Sequence, residues 1–210
     1  LLDPTDIGGN KNKAFILYQE KSFKKSREYI EISLKKSPND YFVLNLSGLI
    51  YIEDNKILEA ISFFKKSLKI NPSYLDGLIN LAVCYFKLEN MKKTFFYLKQ
   101  AYKLNKNDAR ILSNIGNLLS LKGKNNFAIN LYRKALKIDP NNTEILSNLT
   151  LSYIRKKDLL NSNKFFNKLI KVNPNDNELI YAYSNLLLNL NDFIKAWKNF
   201  DNRLLIKKNI

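Results

Sequence analysis

Histidine is missing from this chain, and cysteine, methionine and tryptophan occur once each. Without imidazole, the usual general base and the commonest zinc ligand are gone. A single cysteine, Cys84, cannot close a disulfide within the chain. Its neighbours Leu81, Ala82 and Val83 make it a small buried hydrophobe rather than a reactive thiol. Glycine and proline are scarce, at 6 and 5 in 210 residues. Few breakers, with abundant Leu, Ile, Lys, Glu, Asn and Ala, indicate an all-helical protein. No apolar run reaches the roughly 18 residues that span a bilayer. The nearest, residues 41–52, is interrupted by Asn45, Ser47 and Gly48. The expected compartment is the cytoplasm. Gly-rich phosphate loops and metal-spaced ligands are also lacking, so no catalytic residue, cofactor or metal is expected. The chain starts at Leu1 rather than Met, which points to a piece of a longer protein.

What is present is a period. Pro38, Pro72, Pro140 and Pro174 stand 34, 68 and 34 residues apart. The missing mark falls on Lys106, and the register continues through it. A fixed period of this size describes an array of one supersecondary unit rather than a globule with one closed core. With each proline at position 32, six units span residues 7–40, 41–74, 75–108, 109–142, 143–176 and 177–210, after a linker of residues 1–6.

The columns of this alignment have a packing logic. Position 8 holds Ala14, Gly48, Ala82, Gly116, Thr150 and Ser184; position 20 holds Ser26, Ala60, Thr94, Ala128, Ser162 and Ala196. Helices cross closely only where side chains are short, so these columns mark the contact within a helix pair. Position 24 is always large (Ile30, Phe64, Leu98, Tyr132, Phe166, Phe200), as is position 11 (Leu17, Tyr51, Tyr85, Leu119, Tyr153, Leu187). These fill the space the small columns leave. Helical spacing over 44–51 and 57–70 is separated by the polar turn Glu53, Asp54, Asn55 and Lys56. The residue before each proline is pushed out of the helical region, which ends the second helix. Ser73, Asp108, Thr143 and Asp176 are expected to cap the helices that follow.

These columns, with proline near the end of a 34-residue unit, resemble the tetratricopeptide repeat (TPR) over residues 7–210. The first unit is the most divergent, with Asn10 and Lys13 at apolar positions. The competing pentatricopeptide array, which reads RNA, has a unit usually one residue longer and lacks this pattern. The resemblance implies a right-handed TPR superhelix, an α-solenoid of about six helix-turn-helix repeats. It also implies that positions 2, 5, 6, 9, 12 and 13 of the first helices look into a concave groove. Position 6 places Asn80, Asn114 and Asn148 in register, with Asn12 in the first unit; position 9 adds Asn117 and Asn185. An amide both donates and accepts, so such a ladder can pair with an extended peptide backbone. The run is similar to the asparagine ladder of O-GlcNAc transferase. The slots that carry a basic carboxylate clamp in chaperone-binding TPRs hold Asn45, Ile79, Ser113 and Ser147 here, so no such clamp is expected.

The net charge is +16. Much of it lies at position 29, in Lys35, Lys69, Lys103, Lys137 and Lys171. A cation in the last turn complements the helix dipole by roughly 0.3–1 kcal/mol, which reads as a solvated basic outer face. Arginine, the better phosphate fork, is rare beside lysine, which argues against specific nucleic-acid binding. The last unit differs: Trp197 and Arg203 resemble the stretch that closes the TPR region of bacterial TPR glycosyltransferases, and Arg203 stands at position 27, where other units place Ser33, Ser67, Ala101 and Ala135. The expected role is a non-enzymatic scaffold for a protein or peptide. It is expected to be the interaction region of a larger protein such as a TPR glycosyltransferase, with further chain beyond Ile210; the alternatives are a stand-alone adaptor in a protein complex and, less favoured, an RNA-binding helical-repeat protein.

Overall fold

The computed structural model describes residues 7–200, which form an α-solenoid of helix-turn-helix repeats. The first helices are α1 (Ile7–Gln19), α3 (Tyr41–Glu53), α5 (Leu75–Lys87), α7 (Ala109–Leu121), α9 (Thr143–Arg155) and α11 (Asn177–Asn189). The second helices are α2 (Phe23–Lys36), α4 (Ile57–Ile70), α6 (Met91–Leu104), α8 (Asn125–Ile138), α10 (Leu159–Val172) and α12 (Phe193–Phe200). Every odd helix fills positions 1–13 of its repeat, and α2 to α10 fill positions 17–30. The linker at residues 1–6 and the Arg203 feature lie outside the described residues.

One backbone device closes every first helix. Position 15 (Lys21, Asn55, Glu89, Gly123, Lys157, Asn191) is left-handed in all six repeats, with φ between 55° and 71°. Its N–H donates to the carbonyl of position 12, and the next N–H donates to that of position 11, as Lys157 to Ile154 at 2.8 Å and Asp158 to Tyr153 at 3.0 Å. This paired closure satisfies carbonyls that a helix end leaves bare, and it reverses the chain in four residues. Only Gly123 has the residue type that adopts this conformation without strain.

The other junction is the proline turn. Position 31 is extended there, with φ/ψ of −126°/92° at Asn71 and −127°/86° at Asp139. Asn105, which precedes Lys106 instead of a proline, adopts −142°/108°. The turn therefore holds its shape without the ring. Caps follow at position 34: Asp40, Asp108, Asn142 and Asp176 accept N–H bonds from α3, α7, α9 and α11. Asp108 and Asp176 are the expected caps, whereas Ser73 and Thr143 are not. Ser73 donates instead to Asn71 Oδ1, and Thr143 is already the first residue of α9 behind Asn142.

The small columns are buried throughout: Ala14, Ala60, Ala128 and Ser162 are fully inaccessible. Rings at position 24 lie on the glycines at position 8. A Cβ on Gly48 would stand 2.5 Å from Phe64, and one on Gly116 would stand 2.6 Å from Tyr132. Hydroxyls in the small columns stitch the pair together. Ser26 Oγ donates to the Ala14 carbonyl and Ser67 Oγ to that of Tyr41, each at 2.7 Å. Position 27 is not uniformly small, because Leu169 fills it in the fifth repeat and is 3% exposed.

The chain divides into two compact units, Leu1–Lys106 and Asn107–Ile210. Each core cluster joins a helix pair to a neighbouring repeat: Phe64 with Leu81 and Tyr85 in the first unit, Tyr132 with Leu146 and Tyr153 in the second. Within the first unit α1 touches α3 and α3 touches α5; within the second α7 touches α9. No pair of even helices makes comparable contact among the described residues. Odd helices therefore form the tight inner wall of each unit and even helices its splayed outer side.

Candidate peptide-binding wall

Side chains on the odd helices have two uses: holding neighbouring repeats together, or facing whatever lies on the wall. The first use follows a rule. Asn80 Nδ2 donates to Asn45 Oδ1 at 3.0 Å, Tyr18 OH to Glu53 at 3.4 Å, and Arg155 to Ser120 Oγ at 2.6 Å. Each pair is 35 residues apart, one repeat plus one residue. These cross-repeat bonds went unread in the sequence, although polar pairs at that spacing are the signal that finds them.

The predicted amides divide on this basis. Asn80 is half-buried and committed to Asn45. Asn117 is also engaged, because its Oδ1 accepts from Tyr132 OH at 2.7 Å inside its own repeat. Burial raises the pKa of that phenol, and the nearby Arg155 charge offsets only part of the rise, so Tyr132 stays a neutral donor. Asn12 and Asn185 are exposed. Asn114 on α7 and Asn148 on α9 are half-buried at equivalent positions of touching helices. Neither side chain forms a hydrogen bond with any described residue.

Beside them lies Ser113, which is 4% exposed and whose Oγ has no partner. Several other buried hydroxyls return to the carbonyl four residues back, as Ser47 to Val43 at 2.9 Å and Thr150 to Leu146 at 2.7 Å, and others reach a neighbouring helix, as Ser26 and Ser67 do. Ser113 and Asn148 stand at the same 35-residue spacing as the bonded Asn45 and Asn80, but a hydroxymethyl is shorter than a carboxamide. The second unit thus carries a polar strip in which the Asn114 and Asn148 amides are partly accessible and free of hydrogen bonds to described residues, over a buried, unpartnered Ser113 Oγ.

The first unit's wall is different. Phe15 is 37% exposed and packs edge-on against Phe42, with ring centroids 5.6 Å apart. Leu49, Val83 and Phe86 continue the apolar lining, each partly exposed. Lys11, the basic residue at position 5 of the first repeat, is paired with Asp40 at 3.2 Å beside a hollow that Pro38 and Phe42 help to line.

Outside the wall, the chemistry is quiet. Cys84 is fully buried, and loss of hydration pushes its thiol up to about 11 despite the nearby Lys87. The position-29 lysines are all exposed in the last turns of the even helices, as expected of a solvated outer face. No group of acidic, cysteine or histidine side chains suited to a metal occurs among the described residues.

Comparison with known proteins identifies the repeat family. Residues 43–74 and 75–108 match the family Tetratricopeptide repeat, and residues 116–157 match the family TPR repeat. The peroxisomal targeting signal receptor of Saccharomyces cerevisiae is 27% identical over 108 residues, which is 50% of this chain and 17% of the receptor. Among solved structures, the Cut9 and Hcn1 hetero-tetramer of APC/C superposes over 100% of this chain and 42% of its own, with a TM-score of 0.89 at 17% identity. YrrB, described as a TPR protein with an unusual peptide-binding site, superposes over 84% of this chain and 91% of its own, with a TM-score of 0.57 at 21% identity. The chain spans well under half of the receptor and of the APC/C chain, and the structural likenesses establish the fold. This chain is built from tetratricopeptide repeats.

Proposed function

We propose that the protein is a non-catalytic scaffold whose odd-helix wall holds an extended segment of a partner protein. The observation that carries this is the polar strip of the second unit. Ser113, Asn114 and Asn148 are buried or half-buried, lie on touching helices, and have hydrogen-bonding capacity that the fold does not use. A peptide main chain supplies a carbonyl and an N–H at every residue, so it can pair with the partly exposed amides of Asn114 and Asn148 whatever its side chains. The apolar wall of the first unit, around Phe15, Phe42 and Val83, would take apolar side chains of a bound segment. Likeness to a targeting-signal receptor and to a peptide-binding repeat protein supports the same reading.

The setting we propose is the interaction region of a larger protein, with a TPR glycosyltransferase as the most concrete candidate and a free-standing adaptor as the alternative. The sequence encoded after Ile210 separates them.

The test starts from peptides selected from a random display library on the full chain. Asn114→Ala with Asn148→Ala is expected to weaken a selected peptide about tenfold, at about 0.5–1.5 kcal/mol per lost hydrogen bond, while the melting temperature stays put. Asn80→Ala should instead lower the melting temperature, because it breaks a bond between repeats. Unchanged affinity in the double variant contradicts the proposal.

A further inference from the structure

The odd-to-even turns of the second compact unit carry a feature that neither repeat packing nor the inner wall explains. Phe127, Leu160 and Ile194 are 65%, 78% and 87% exposed. Each is the second or third residue of its even helix, directly after the turn. In a stack of repeats, equivalent turns share one edge. The three side chains therefore project from the same edge, one per repeat.

The turns before Phe127 and Leu160 are cationic. Lys124, Lys156 and Lys157 are exposed in the intervening turns. The carboxylates of that edge are occupied: Asp158 caps α10 through the Asn161 N–H at 3.1 Å and also binds the Asn161 amide, and Asp192 is paired with Lys195 at 2.9 Å. An edge of lysines on a chain of net charge +16 repels a second copy of itself. The tips stand one repeat apart, with Phe193 also 54% exposed beside Ile194, so they form spaced apolar points rather than one broad patch of the kind a shaped protein surface would cover. A yielding apolar medium under a negatively charged surface suits them better, because each tip can sink independently while the lysine stems reach the headgroups.

We propose that this edge is a docking site for an anionic lipid bilayer, with Phe127, Leu160 and Ile194 entering the acyl boundary and Lys124, Lys156 and Lys157 contacting acidic headgroups. The site lies off the peptide wall, so peptide binding and membrane docking fail independently.

The experiment is co-sedimentation of the full chain with phosphatidylcholine vesicles, with and without phosphatidylserine. Binding is expected only to the anionic vesicles and is weakened by salt. The triple change Lys124→Glu, Lys156→Glu and Lys157→Glu should weaken it roughly a hundredfold, since each cation near such a surface contributes on the order of a fivefold factor. The triple change Phe127→Ser, Leu160→Ser and Ile194→Ser should weaken it at least about tenfold. All six positions are exposed, and unchanged circular dichroism and melting confirm that both variants fold. No binding to anionic vesicles overturns the proposal. So does binding that the serine variant leaves intact, because that is adsorption of a basic protein through charge alone. Binding to polyglutamate in place of vesicles, sensitive to the same residues, would assign the edge to an acidic protein segment and also overturn it.

Discussion

The pairing of positions 8 and 24 shows how closely single residues are matched. Phe64 lies over Gly48 and Tyr132 over Gly116, with no room for a Cβ at either glycine. Where position 8 is alanine, as in Ala14 and Ala82, position 24 is the smaller Ile30 or Leu98. Thr150 with Phe166 departs from this trade, and Phe166 keeps 7% exposure. Gly48→Ala is therefore expected to cost about 1–3 kcal/mol by overpacking. Combining it with Phe64→Leu, which recreates the Ala82 and Leu98 pair, should recover part of the loss. Urea unfolding of the two single variants and the double variant gives the coupling, and strict additivity would contradict the paired packing. This match was legible in the sequence, because both columns repeat every 34 residues. The fates of the asparagines were not. Asn80 and Asn148 share position 6, but one has Asn45 and the other Ser113 at the 35-residue spacing. A periodic alignment shows the column and hides the neighbour.

At the scale of the element, the helix ends carry most of the unused stability. The left-handed position 15 costs a residue with a Cβ roughly 1–2 kcal/mol, and Lys21, Glu89 and Lys157 bear that strain. Lys157→Gly should raise stability by up to about 1 kcal/mol, the strain relief being reduced by glycine's freedom in the unfolded chain. Gly123→Ala should do the opposite even though open space surrounds the glycine, since the cost lies in φ. Lys106→Pro is expected to stabilise by about 0.4–1 kcal/mol, because Asn105 already has the extended conformation that a residue before proline needs. Thermal midpoints of these variants check the signs; a drop for Lys106→Pro would show that the third turn differs from its siblings. The prolines were the most visible marks in the sequence, but the fixed conformation of position 15 was invisible. Lysine, asparagine, glutamate and glycine share no side-chain signature.

Asp108 adds a pH dependence to its helix. Partial desolvation acts to raise its pKa. The Arg110 hydrogen bonds and charge, with the N–H groups of Arg110 and Ile111, outweigh that and hold it below the ordinary 3.8. A depressed folded-state pKa means the stabilisation is complete above the unfolded value and is lost as the pH falls through the folded one. Asp108→Asn keeps a capping oxygen without the charge. It should lower stability at neutral pH by the charge-linked part and flatten the acid limb of the stability curve, so that the two proteins converge in acid. An acid limb identical in the two proteins would show that the Arg110 pair contributes nothing.

The molecule is a set of like modules, and within each compact unit the odd-helix wall does two jobs. Some polar side chains meet a counterpart 35 residues away and join repeats, as Asn80 does with Asn45; Asn148, opposite the shorter Ser113, forms no such bond. The proposed partner would lie along Asn114 and Asn148 in the second unit. The most direct test is nuclear magnetic resonance mapping of a display-selected peptide on the isotopically labelled full chain. The predicted result is that the side-chain amides of Asn114 and Asn148 shift on binding while those of Asn80 and Asn117, already bonded within the fold, move little. Shifts confined to the even helices, with Asn114 and Asn148 unmoved, would contradict it.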